Sequence, residues 1–188
     1  MRITSAVLGS LGTNAYLIEI GERVVLVDPA EDSAALHALV GHRTIDWVVN
    51  THGHYDHVGG NWAIESGGVC IHEKDVPYVT HFFPKHPAFD RYLGDGDEVV
   101  PGLRVMHTPG HSPGSVILVA DGALFAGDLL FAGSIGRTDF PGGSDDDMGA
   151  SLRRVVALAG EYTVYPGHGP KTTLARERGS NPFLQGDG

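Results

Sequence analysis

Three histidines and an aspartate stand within six residues as His52-x-His54-x-Asp56-His57, directly after an apolar run. Imidazole and carboxylate donors without a thiolate suit a borderline divalent ion such as Zn²⁺, and also Fe or Mn. His52 and His54 lie two apart, so in an extended chain both rings point to one face, and Gly53 between them allows a tight turn. The whole stretch 51–57 is too polar for an apolar core unless something satisfies it. Four more residues share a setting, the end of an expected strand beside glycine or proline: Asp28, His111, Asp128 and His168. Loops at one edge of a sheet pair can converge on a single site. That shared placement sets His111 and His168 apart from His37, His42, His72, His81, His86 and His107, which read as ordinary residues. Asp28, next to Pro29, reads equally as an organiser of its own turn.

Alternating and apolar runs supply the elements that must carry these residues. Three short strands are expected over 3–28, with 16–20 and 24–27 joined at Gly21-Glu22. A helix over 31–40, with acids in its first turn, leads to a buried strand over 45–50. Residues 61–65 suggest one or two helical turns, 69–72 a strand, and 81–96, rich in proline and glycine, a surface loop near the site. Strands over 103–108, 115–120 and 123–126 each end in a glycine-containing corner. A helix over 147–159, with Leu152, Val155, Val156 and Ala159 inward, precedes a last strand over 163–165. In the tail, Pro182, Phe183 and Leu184 are expected to dock and residues 185–188 to fray. Strands, helix and strand, then again strands, helix and strand, imply an α/β fold: a four-layer αββα sandwich.

Composition bounds the function. With 188 residues, 41% hydrophobic and 19% charged, the chain is expected to form one compact domain over 1–188. A formal charge of -10, from 13 Lys plus Arg against 23 Asp plus Glu, leaves no basic stripe for phosphates, which argues against nucleic acid as partner. A small-molecule substrate is the expected partner. No apolar run approaches the ~18 residues needed to span a bilayer, and the first residues lack the apolar core of a signal peptide, so the cytoplasm is expected. Cys70 is the single cysteine, which leaves neither a disulfide framework nor a four-thiolate zinc site.

The chain resembles the metallo-β-lactamase superfamily, in its glyoxalase II-like branch of short hydrolases. The resemblance is carried by Thr51 to His57, Gly110-His111-Ser112-Pro113-Gly114, Gly127-Asp128-Leu129-Leu130-Phe131, Ser134-Ile135-Gly136-Arg137-Thr138-Asp139, Gly167-His168-Gly169 and Asn181-Pro182-Phe183-Leu184. It implies two divalent metal ions, Zn²⁺ with Fe or Mn as alternatives. His52, His54 and His111 would hold the first, Asp56, His57 and His168 the second, and Asp128 would bridge. Asp28 and Thr51 would orient ligands, and Asp56 would serve catalysis by orienting the attacking oxygen and accepting a proton. The implied reaction is hydrolysis of S-acylglutathione-like or other thioesters by a hydroxide shared between the ions. The rival readings are an iron-dependent persulfide dioxygenase and a non-catalytic metal-binding protein of the same fold. Lactamases of the main zinc class carry a cysteine at the position of Asp128, so antibiotic hydrolysis is not expected. The chain also stops short of the helical C-terminal domain with which longer glyoxalase II enzymes bind glutathione. Arg137 is the first cation expected near an acidic substrate, unless Asp139 takes it.

Overall fold

The computed structural model describes residues 1–185. The first sheet has six strands, β1 (Arg2–Leu8), β2 (Thr13–Ile20), β3 (Arg23–Val27), β4 (Trp47–Val49), β5 (Val69–Ile71) and β6 (Arg91–Tyr92), in that spatial order. The first three are antiparallel, and β3 to β6 run parallel. The second sheet gathers β7 (Glu98–Val100), β8 (Leu103–His107), β9 (Val116–Ala120) and β10 (Ala123–Gly127). A small hairpin, β11 (Leu130–Phe131) with β12 (Ser134–Ile135), stands apart. β13 (Thr163–Pro166) then returns parallel to β10, and β14 (Thr172–Thr173) completes the order β14-β13-β10-β9-β8-β7.

Period-two alternation sorts the core into three layers. Tyr16, Ile18, Val25 and Val27 of the first sheet meet Leu103, Val105, Leu118 and Phe125 of the second between the sheets. On the outer face of the first sheet, Leu17, Leu26 and Val48 pack with Leu36 and Leu39 of α1 (Ala34–Val40), Val58 of α2 (Tyr55–Val58) and Val79 of α3 (Val76–Phe82). On the outer face of the second, Ile117, Leu124 and Ala126 receive Met148, Leu152 and Val155 of α4 (Asp145–Val156) and Leu174 of α5 (Leu174–Ser180). The four-layer αββα sandwich is therefore present, because each central strand is apolar on both faces. No helix among the described residues is long and apolar enough to cross a membrane.

Several boundaries differ from expectation. The first helix begins at Ala34, because Ser33 accepts a hydrogen bond from the Leu36 N–H and caps it; the acids precede the cap. Residues 61–65 form turns, not helix. The expected loop 81–96 starts inside α3 and includes β6. α4 is capped by Ser144 and ends at Val156, so Ala159 is exposed and Met148, Ser151, Leu152 and Val155 face inward. The strand over 163–165 is not the last element: β14 and α5 follow it. In the tail, Leu184 packs on the outer core while Phe183 is exposed, and the Gln185 side chain donates to the Arg178 carbonyl at 2.7 Å. The fraying expected of 186–188 lies outside the described residues.

Candidate metal centre

The parallel strands β3, β4, β10 and β13 end on one edge of the sandwich, where the chain leaves each strand for a loop. The crevice beyond the carboxyl ends of such strands is where α/β folds place their ligands. Asp28 follows β3, Thr51 and His52 follow β4, Asp128 follows β10 and His168 follows β13. His111 enters from the β8–β9 connection. All seven residues expected to hold metal thus come to one place, grouped as His52, His54 and His111, as His52, His57 and Asp128, and as Asp56, His57 and His168. Within each group the donor atoms lie within 4.8 Å of one another.

Outer hydrogen bonds decide which ring nitrogens face inward. The Thr51 hydroxyl donates its proton to Asp28 Oδ2 at 2.6 Å, so at 3.1 Å it accepts from His52 Nδ1. His57 Nδ1 donates to Asp28 Oδ2 at 2.9 Å, His111 Nδ1 to the Arg137 carbonyl at 2.7 Å, and His168 Nδ1 to the Leu11 carbonyl at 3.2 Å. Each of these rings, when neutral, therefore turns a bare Nε2 lone pair into the cluster. There the Nε2 lone pairs of His57 and His168 face one another at 3.2 Å, and His111 Nε2 points at His54 Nδ1, 2.9 Å away. His52 Nε2 and Asp128 Oδ1 are buried without any partner. Lone pairs in contact and orphaned buried acceptors are unfavourable unless cations stand between them. The donor set fits a pair of divalent ions.

The electrostatics point the same way. Burial opposes protonation of His57, but Asp128 and Asp28 together push it up to about 9: these carboxylates call for positive charge at the centre. Burial, reinforced by His57 and His111, holds His52 well below its ordinary value. Burial, then His111, lowers His54 to about 4. Burial disfavours ionised Asp56, yet the His168 hydrogen bond and the His57 charge outweigh it and hold the carboxyl below its usual range.

Asp28 does more than organise its turn. It is buried, it is the one non-glycine with positive φ (49°) among the described residues, and it accepts from the Thr51 N–H at 2.8 Å besides Thr51 Oγ1 and His57. Asp28→Ala is expected to weaken metal retention at the His57 group by about 10- to 100-fold, read by competition with a chromophoric chelator. Arg137 pairs with Asp139 through contacts of 2.5 and 2.6 Å and lies over the Phe140 ring. Its backbone carbonyl, not its guanidinium, serves the cluster.

Sequence reasoning missed Asp75. Its carboxylate is fully buried; Oδ2 accepts from the Gly53 N–H at 2.8 Å and the Ser112 hydroxyl at 2.6 Å, and Oδ1 accepts from the Gly114 N–H at 2.6 Å. One side chain therefore clips the loop of His52 and His54 to the loop of His111. Gly53 is needed for room rather than for a turn, since a Cβ there would stand 2.5 Å from the Asp75 carbonyl oxygen. The local signal, an acid just before Val76-Pro77, reads as an ordinary helix cap, but the side chain makes no cap hydrogen bond. Thr13 was also missed: its hydroxyl donates to Asp56 Oδ2 at 3.1 Å. The six histidines read as ordinary stand outside the groups that could hold metal; His72 stacks on His107, and His81 lines the cavity described next.

A cavity of about 1050 Å³ opens over the cluster and reaches His54, Asp56, His111, Asp128 and His168. Substrate pockets typically span ≈ 300–1,000 Å³.

Residues 8–168 match the family model of the metallo-β-lactamase superfamily. The crystal structure of TTHA1623 in a di-iron-bound form is similar at a TM-score of 0.88, with 39% identity over 96% of this chain and 100% of that one. That of the B3 metallo-β-lactamase BLEG-1 is similar at a TM-score of 0.85, with 32% identity over 98% and 100% of the two chains. The probable metallo-hydrolase YqgX of Bacillus subtilis is 30% identical over 95% of each chain.

Proposed function

Because the chain belongs to the metallo-β-lactamase superfamily, we propose that it is a metal-dependent hydrolase whose bond of choice is a thioester or related ester. The observation that carries this reading is the inward convergence of five imidazoles and two carboxylates beneath an open cavity. Bound ions would lower the pKa of a coordinated water toward neutrality and polarise the substrate carbonyl.

The chain's own residues do the rest. His52, His54 and His111 would hold one ion, Asp56, His57 and His168 the other, and Asp128 lies between the groups, with Oδ1 3.5 Å from His57 and Oδ2 3.6 Å from His111 and 3.5 Å from His168. Thr13 donates to Asp56, whose carboxylate is held ionised and so accepts a hydrogen bond from the attacking water and directs it, the water's proton leaving to solvent. A carbon–oxygen bond forms, the carbon–sulfur bond breaks, and the sulfur departs as thiolate, which needs no protonation by the protein. Asp28 and Thr51 keep His52 and His57 in the required tautomers.

Stripping the protein with a chelator is expected to remove all but about 1% of thioester hydrolysis, and Zn²⁺, Fe²⁺ or Mn²⁺ to restore it. Unchanged turnover after complete stripping overturns the reading. The likeness to a di-iron protein and to a B3 lactamase defines the rest of the panel. S-lactoylglutathione and simple acyl thioesters should turn over faster than a phosphoester or a β-lactam, and glutathione persulfide should consume no oxygen. Oxygen uptake with the persulfide would favour the iron dioxygenase instead.

A further inference from the structure

The cavity over the cluster has two walls of different origin. One is built by Tyr55 of α2 with Pro77, Tyr78 and Phe82 of α3, the Tyr55 and Phe82 rings 5.3 Å apart. The other is built by Phe131 and Ile135 of the small hairpin with Phe140 and Pro141 beyond it. The walls meet at His54, whose ring lies edge-on to Tyr78 and to Phe140, 5.6 Å from each.

Two of the polar tips near these walls are spent. The Tyr78 hydroxyl donates to the Pro141 carbonyl at 2.7 Å, and Arg137 is engaged by Asp139 and lies flat on Phe140. What remains for a ligand is largely apolar, with the Tyr55 hydroxyl, His81 and Ser134 also in the lining. Leu11, Tyr55, Phe82 and Phe140 all line the cavity and are 54%, 45%, 48% and 40% exposed, so they form an uncovered apolar rim beside a polar centre. A tripeptide such as glutathione would need hydrogen-bonding partners along its length, and the aromatic and proline faces offer few.

One cation at the rim is uncommitted. Lys74 lines the cavity, is exposed, and makes no ion pair among the described residues. The acids that share the lining, Asp56 and Asp128, are turned into the cluster.

We propose that this site takes an anionic thioester with a bulky apolar acyl group, the acyl chain lying between the aromatic walls and the anion reaching Lys74. The proposal rests on the hydrolytic reading and deepens it. Buried methylenes are worth about fourfold each in affinity, so an open groove that covers part of a chain still discriminates strongly by length.

The test uses metal-loaded protein and two probe series, acyl thioesters of N-acetylcysteine, which carry a carboxylate, and of N-acetylcysteamine, which do not. Within the carboxylated series, kcat/KM is expected to rise by at least about tenfold from acetyl to octanoyl, and Phe82→Ala with Phe140→Ala to flatten that rise. The ratio of kcat/KM between the two series should exceed about fivefold and collapse toward one in Lys74→Glu. Equal rates across chain length, with hydrolysis intact, overturn the proposal and leave the hydrolase. A thioether that cannot be cleaved, S-octyl-N-acetylcysteine, separates the two claims by calorimetry. Binding that weakens in Lys74→Glu, with no thioester hydrolysed, upholds the pocket assignment and overturns the hydrolase. No binding of the thioether overturns the pocket assignment.

Discussion

Replacing Asp128 with alanine is expected to lower thioester hydrolysis by roughly 10²- to 10⁴-fold, the several kcal/mol that a correctly held pair of ions contributes to the transition state. Asp128 is the residue whose two oxygens face both halves of the cluster, 3.5 Å from His57 and His168 and 3.6 Å from His111. Its Oδ1 is buried and otherwise without a partner, so the side chain carries little of the fold and much of the site. Elemental analysis of desalted protein is expected to find two metal equivalents in the parent and one or fewer in the variant. Its thermal midpoint should also respond less to added metal, since ligands that bind only the native state stabilise it by mass action. Two retained equivalents with full turnover would remove Asp128 from the centre.

Asp75→Ala is expected to damage both stability and one half of the site. Three donors, the Gly53 and Gly114 N–H groups and the Ser112 hydroxyl, would lose their acceptor in a buried place, at about 1–3 kcal/mol each before any water enters. A net loss of roughly 3 kcal/mol corresponds to a fall of about 6–12 °C in Tm for a chain of this length. The Gly53 donor lies between His52 and His54, and the Gly114 and Ser112 donors belong to the loop of His111, so the first group is touched directly, whereas Asp56 and His57 follow Gly53 on α2 and His168 lies on a separate loop. Metal affinity should therefore drop about 10- to 100-fold at the first group while the second holds its ion. Competition with a chelator should then show one weak and one tight equivalent. Ser112→Ala, which removes one donor and keeps the carboxylate, is the milder variant and should shift the same equivalent by less. Equal weakening of both equivalents would reduce Asp75 to a packing role.

Much of the site is legible along the chain because its signals are local. His52, His54, Asp56 and His57 stand together in six residues, and His111, Asp128 and His168 each sit where a strand must stop. The central strands are equally plain: β2, β3, β9 and β10 are long enough for alternation or an unbroken apolar run to show. The elements that escaped are short. β6 and β14 have two residues each and α3 and α5 seven, too few for a period to emerge. They exist because distant partners complete them: Cys70 and Ile71 pair with β6, and Thr163 and Val164 with β14.

By itself the amino-acid sequence determined the layer architecture and which side chains are candidates to hold metal, since both depend on which residue types recur at which spacing. Only the tertiary structure decided how those side chains are held. The tautomer of His57 depends on Asp28, which lies 29 positions away, and that of His111 on the Arg137 carbonyl, 26 away. The Asp75 side chain became the clip between two loops because Gly53 and Gly114, 22 and 39 positions distant, bring their N–H groups to it. A hydrogen bond is chosen by proximity in space, and for loops at the edge of a sandwich that proximity is created by sheets pairing far along the chain.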